Sequence, residues 1–181
     1  TASAWWQKDS KMNESNSNLK TVMDFDLTFT CQKAFGEVCS SNEGSEAGLF
    51  KIYEVIAQDF LFPNPNNVLT FLDNHDLGRF MQKGETDLRR YKQAIAFLLT
   101  TRGIPQIYYG TEILMTGTKA EGDGVIRTDF PGGWAGDPKN AFTPEGRTDL
   151  QNEAWNYMKK ILNWRKHCDA VKEGKLIHYT D

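Results

Sequence analysis

Two short apolar runs, one helix apart, constrain this chain more than any other feature. The first, Asn67-Val68-Leu69-Thr70-Phe71-Leu72, is rich in strand formers and stops abruptly at Asp73-Asn74-His75-Asp76. The second, Ile104-Pro105-Gln106-Ile107-Tyr108, follows Arg102-Gly103 and runs into Tyr109-Gly110-Thr111-Glu112. Between them Leu88, Tyr91, Ile95, Leu98 and Leu99 recur at helical spacing. Strands separated by a helix pair in parallel through a right-handed crossover. A histidine and carboxylates delivered at the carboxyl end of such a strand occupy the position where barrel folds gather their reactive groups.

The rest of the chain extends this alternation. The polar opening, through Asn18, reads as loop anchored by Trp5-Trp6, and 20–25 reads as a short strand. Residues 27–38 are predicted helical, with Phe29, Ala34 and Phe35 on an imperfect apolar face. Asn and Gly punctuate 41–45. Leu49, Ile52, Tyr53, Ile56 and Phe60 predict an amphipathic helix over 46–60, stopped by Pro63 and Pro65. Gly84 breaks the chain before the next helix, for which Thr86 is the expected cap, and Gly103 ends it. A Gly-rich loop covers 109–147. Thr148 and Gln151 then form a capping-box pattern ahead of Trp155, Met158, Ile161 and Leu162. The alternating 175–179 tail reads as the start of a strand. This gives an α/β chain with three core strands. A closed barrel has eight strand-helix units and typically needs about 250 residues, so 181 residues with three strands read as part of one.

Composition narrows the function classes. With 39% hydrophobic and 25% charged residues the chain has the make-up of a globular domain with a core. A net charge of −3 gives nucleic-acid binding no electrostatic support. The apolar runs are too short for membrane insertion, and no signal peptide is recognisable. Cys31, Cys39 and Cys168 lack metal-ligand spacing, and an odd number argues against a closed disulfide framework, though Cys31 and Cys39 are near enough to pair. His75, His167 and His178 are scattered. No phosphate-cradling loop, dinucleotide fingerprint or Gly-x-Ser-x-Gly elbow is present. The 12% aromatic content serves either a core or a surface for stacking sugar rings.

At Phe71-Leu72-Asp73-Asn74-His75-Asp76 the chain resembles the alpha-amylase family, glycoside hydrolase family 13, whose fourth signature is an apolar strand ending in Asn-His-Asp. Arg102 through Glu112 resembles the eighth barrel strand of that family and the turn after it. Asp129-Phe130-Pro131-Gly132-Gly133-Trp134 looks like the neopullulanase and cyclomaltodextrinase branch, as do Trp6-Gln7-Lys8-Asp9-Ser10 and Lys20-Thr21-Val22-Met23-Asp24-Phe25. The resemblance covers nearly the whole chain, with the segments in the family's order.

That order implies strands six to eight of a (β/α)8 TIM barrel, with 1–170 as the carboxyl-terminal portion of the catalytic domain and 171–181 as the start of the following β domain. The nucleophilic Asp and the general-acid Glu would precede this stretch. The resemblance implies a retaining hydrolase of alpha-1,4-glucosidic bonds in maltooligosaccharides, pullulan or cyclodextrins as the parent, with this piece inactive alone. Asp76 is then the transition-state-stabilising carboxylate, and His75, Arg79 and Tyr109 touch substrate, with pairing to a nearby carboxylate as the alternative for Arg79. Asn74 is expected to hold the turn, Asp73 to be structural, Tyr108 and Glu112 to support the loop, and Asp24 to pack or cap a helix rather than reach the cleft. No cofactor is implied for this stretch, calcium belonging at most to the full-length parent, since no dense Asp/Asn loop is seen. A periplasmic or secreted bacterial parent fits the family.

Two segments imitate the family's other signatures. Gly124-Val125-Ile126-Arg127-Thr128-Asp129 carries Arg two residues before Asp, as the nucleophile signature does, but follows Asn-His-Asp instead of preceding it, and reads as loop. Gly36-Glu37-Val38 ends a helix rather than a strand, so Glu37 reads as a solvated surface residue. The rival readings are a non-catalytic partner-subunit homologue of the barrel and a carbohydrate-binding module. Three parallel strands leave two sheet edges open, which predicts a homodimer of the fragment or a large exposed apolar face.

Overall fold

The computed structural model describes residues 2–12, 16–37 and 47–179. Three short strands, β1 (Val22–Met23), β2 (Val68–Thr70) and β3 (Ile104–Pro105), form a parallel sheet in that order. The register pairs Val22 with Val68 and Leu69 with both Met23 and Ile104. Backbone bonds from Asp24 N to Leu69 O and from Gln106 N to Thr70 O, both 2.8 Å, continue the ladder past the strand ends. Helices α1 (Ala2–Trp6), α2 (Phe25–Ala34), α3 (Phe50–Ile56), α4 (Leu88–Thr100), α5 (Asp123–Ile126), α6 (Asp149–Lys166) and α7 (Asp169–Glu173) complete the order. The main core gathers Leu27, Cys31, Ile52, Ile56, Leu72, Tyr91, Ile95, Leu99 and Met158 between the sheet and α2, α3, α4 and α6.

Polar pins fix the sheet against the helices. Asp24 caps α2 by accepting from Leu27 N at 3.1 Å. It also pairs with Arg102 at 2.9 Å, and Arg102 forks onto Asp59. Burial pushes the Asp24 carboxyl up and the Arg102 charge pulls it back. Arg165 of α6 donates to the carbonyls of Leu99, Thr101 and Gly103, satisfying acceptors left free where α4 ends. Thr148 and Gln151 form the expected capping box at the start of α6.

Several expectations are revised. The opening segment contains α1, and Trp5 and Trp6 are 45% and 56% exposed. The anchor there is Gln7, whose buried amide exchanges hydrogen bonds with the Asn64 backbone at 2.8 and 2.9 Å, beside buried Ala4. The inward face of α2 is Leu27, Thr28, Cys31 and Ala34, leaving Phe29 exposed, because the buried strip follows Asp24 round the helix. The 46–60 helix is α3 followed by a 3-10 turn, Ala57–Leu61, which rotates Phe60 into solvent. Asp87, not Thr86, caps α4, accepting from Arg89 N at 2.9 Å. Strand β3 spans two residues and leaves Ile104 44% exposed, since it lies at the sheet edge. The 109–147 loop holds short helical turns, and the 175–179 tail forms no strand. Cys31 is free and buried, whereas Cys39 and the 41–45 punctuation lie outside the described residues.

Candidate active site

Parallel pairing brings the carboxyl ends of β2 and β3 to one edge, and the candidate residues follow both. After β2 the chain stays buried through Phe71, Leu72, Asp73 and Asn74 and then surfaces abruptly. Helix α2 enforces this path: Thr28 Oγ1 donates to Phe71 O at 2.8 Å and Gln32 Nε2 to Leu72 O at 3.0 Å. The Asn74 amide oxygen accepts from Asp76 N at 2.9 Å and Leu77 N at 3.0 Å, so Asn74 holds the turn. Asp73 accepts from Phe80 N at 2.9 Å and from the Thr111 hydroxyl at 3.1 Å, tying this turn to the one after β3. Burial raises its carboxyl despite those donors.

His75 and Asp76 emerge from this buried base with side chains 63% and 61% exposed. Their side chains meet, His75 Nε2 lying 3.3 Å from Asp76 Oδ2. The other oxygen, Oδ1, accepts from Arg127 Nη2 at 3.1 Å, and Arg127 Nε donates to the His75 carbonyl at 2.9 Å. Each carboxylate oxygen keeps a further lone-pair direction toward solvent. Arg127 sits at the carboxyl end of α5, in the segment that imitates the nucleophile signature. The first half of that segment is the end of helix α5 and only the part after Arg127 is irregular chain, and nothing in the sequence pairs Arg127 with a residue 51 positions earlier.

Tyr109 follows β3 on the same edge, partly exposed, with its hydroxyl donating to Thr128 O at 2.9 Å. Arg79 is buried instead of facing the open end. Its Nη1 donates to Tyr109 O at 2.5 Å and its Nε to Ile126 O at 3.1 Å. The guanidinium carbon lies 4.4 Å from the Tyr108 ring centroid and 4.9 Å from that of Tyr109. Gly110, at φ +87°, leaves room beside this guanidinium, because a Cβ there would fall 2.2 Å from the Met115 sulfur and 3.1 Å from Arg79 Nη1. The structure thus groups His75, Asp76, Arg127 and Tyr109 at the strand ends, with Asp73, Asn74 and Arg79 beneath. Glu37 is a surface residue that accepts from Gly48 N at 2.9 Å and pairs with Lys51, which holds its carboxyl below the usual range. Among the described residues no three His, Cys, Asp or Glu side chains gather as cation ligands, and no helix is long and apolar enough to cross a membrane.

The sequence model of the alpha-amylase catalytic domain matches residues 4–173. A cyclomaltodextrin glucanotransferase of Thermoanaerobacterium thermosulfurigenes is 35% identical over 162 residues, covering 90% of this chain and 19% of that protein. An alpha-amylase of Niallia circulans is 32% identical over 162 residues, covering 88% of this chain and 26% of that protein. The crystal structure of the gamma-CGTase of Alkalophilic bacillus clarkii superposes with a TM-score of 0.58 at 29% identity, over 83% of this chain and 19% of that one. The chain therefore spans about a fifth to a quarter of the length of these relatives.

Proposed function

Because this chain belongs to the alpha-amylase family of catalytic domains, we propose that it is the carboxyl-terminal part of a (β/α)8 barrel, with β1, β2 and β3 as barrel strands six, seven and eight. Residues 1–170 belong to the barrel in this reading, and 171–181 begin the domain that follows. The whole protein is a retaining alpha-glucan hydrolase acting on alpha-1,4-glucosidic bonds. The segment Asp129 through Trp134 favours the neopullulanase and cyclomaltodextrinase branch, hence maltooligosaccharides, pullulan or cyclodextrins as substrates.

Retaining hydrolysis needs a carboxylate nucleophile and a carboxylic acid roughly 5 Å apart. Both precede this stretch, so the chain alone does not hydrolyse glucans. Asp76 supplies the third carboxylate. Its free lone pairs accept hydrogen bonds from hydroxyls of the ring being distorted, and its charge keeps a neighbouring acid protonated. His75 donates to a hydroxyl beside the developing oxocarbenium, a bond that strengthens as charge builds up. Tyr109 lines the adjoining sugar position, and Arg79 contributes to substrate binding by holding Tyr109 through its carbonyl and ring.

One observation carries this reading: Asp76 and His75 are exposed side chains that directly follow buried Asp73 and Asn74 at the carboxyl end of a parallel strand. Such a base fixes the two groups without covering them. In the full-length protein, Asp76→Asn is expected to lower kcat by at least about a hundredfold, with an unchanged melting temperature. Near-normal turnover rejects the role of Asp76.

A further inference from the structure

The two turns that carry the candidate residues are anchored to different helices. The turn after β2 hangs from α2, through the bonds of Thr28 and Gln32 to the carbonyls of Phe71 and Leu72. The turn after β3 is held from α6, where Gln151 Nε2 donates to Ile113 O at 3.0 Å. Arg79 links the turns through a long side chain, from its Nη1 to Tyr109 O. Asp73 and Thr111 link them through two short ones, both buried. The Thr111 hydroxyl lies 3.1 Å from each oxygen of the Asp73 carboxylate.

The same carboxylate closes the loop that bears His75 and Asp76. Its Oδ2 accepts from Phe80 N at 2.9 Å, so the two ends of 73–80 meet on one side chain. Within that loop Asn74 Oδ1 accepts from Asp76 N and Leu77 N, and Arg79 N donates to Gly117 O at 2.8 Å. Stability does not account for an acid at this place. Burial raises the Asp73 carboxyl more than the Phe80 amide, the Thr111 hydroxyl and the Arg79 charge lower it, and the Glu112 charge raises it further. An apolar side chain of similar size would fill the space without that penalty. What the carboxylate supplies is direction, since its two coplanar oxygens fix the end of one loop and the face of the other turn together. Thr111 is β-branched, with few χ1 choices, so the contact holds its distance within narrow limits.

We propose that Asp73 and Thr111 are positioning residues, a buried strut that keeps the turn bearing His75 and Asp76 in register with the turn bearing Tyr109 and so sets Asp76 against the reacting sugar. This rests on the assignment of Asp76 above. A reacting group displaced by about 1 Å loses about a hundredfold in rate, so a strut of this kind acts on turnover more than on binding.

The test uses the full-length protein well below its melting temperature. It combines steady-state kinetics on maltooligosaccharides with calorimetric titration by acarbose, a mimic of the oxocarbenium-like transition state. Thr111→Val keeps the shape and removes the hydroxyl. It is expected to lower kcat about tenfold with KM within about threefold. Its Kd for acarbose should rise by about the factor by which kcat/KM falls, at unchanged stoichiometry. Thr111→Ser restores the donor and should recover turnover to within about threefold of the parent. Asp73→Asn keeps an oxygen for Phe80 N and an amide that donates to the Thr111 hydroxyl, so it should lose less than Thr111→Val. Unchanged kinetics, or a rise in KM at constant kcat, would overturn the proposal. So would a fall in stoichiometry at unchanged acarbose affinity, which marks a misfolded fraction. A serine variant no better than the valine, or an asparagine variant worse than it, would do the same. Asp76→Asn separates the two levels. If it is impaired while Thr111→Val is normal, only the positioning role fails. If Asp76→Asn turns over normally, the site assignment fails and takes this proposal with it.

Discussion

Gly103 shows how one residue sets the geometry that the site depends on. It lies between α4 and β3 at φ +93°, where a side chain is strained. A Cβ would come within 2.6 Å of the Val68 carbonyl oxygen and 3.0 Å of the Thr70 methyl, both on the neighbouring strand. The first contact is with backbone, so relief requires β3 to move away from β2. Gly103→Ala is therefore expected to destabilise the chain by about 2–3 kcal/mol, read as a lower urea midpoint at constant slope. An unchanged midpoint would show that the turn relaxes without disturbing the sheet. The sequence announced this glycine as a helix stop but gave no sign of the close approach, which depends on a strand 35 positions earlier. Arg127 was obscured for the same reason. Its chemistry is visible in the sequence, but its partners His75 and Asp76 are 52 and 51 residues away.

At the scale of elements, features governed by neighbours in sequence were legible and those governed by packing were not. The α6 capping box needs only Thr148 and Gln151, three residues apart, and it forms as read. Helix α4 follows from its apolar spacing, with Leu88, Tyr91, Ile95, Leu98 and Leu99 all buried. The α2 face was misassigned because its buried strip is decided by Thr28 and Gln32 reaching the strand-end carbonyls of Phe71 and Leu72, which apolar spacing does not reveal. The turn before α4 shows the same dependence and has a pH signature. Glu85 and Arg90, each 17% exposed, form a forked pair, and Arg90 also donates to Phe80 O at 2.8 Å. The hydrogen bond from Arg90 holds the Glu85 carboxyl below its ordinary value despite partial burial. A depressed folded value means the stabilisation is complete above the unfolded glutamate pKa and is lost as pH falls through the folded one. Glu85→Gln should therefore be less stable than the parent chain by about 1 kcal/mol near pH 7. The difference should shrink below about pH 4.3 and vanish once Glu85 is protonated in both the folded and the unfolded chain. Melting temperatures measured from pH 7 to pH 3 check this, and a constant gap between the two proteins would exclude the linkage.

At the scale of the molecule, the sheet formed by the described residues has two ends, and none of its strands β1-β2-β3 closes it. At the β3 end, Ile104 is 44% exposed. A groove of about 540 Å³ lined by Ile107, Tyr109, Trp155, Met158 and Leu162 opens between the segment after β3 and α6. An unpaired strand edge beside an open apolar groove is a template for another chain. In a closed barrel the next strand-helix unit would cover both features, which connects the state of the isolated chain to the barrel reading. The chain by itself is expected to associate through this edge, giving a concentration-dependent rise in mass by light scattering and binding of an apolar dye. Ile104→Lys places a charge on the edge without disturbing buried core, and should shift the population toward monomer. A monomer at all concentrations that binds no dye would mean that the β3 edge is protected in solution. That would remove the physical reason for expecting a further strand beside β3, and with it the strongest structural argument that this sheet is part of a larger cylinder.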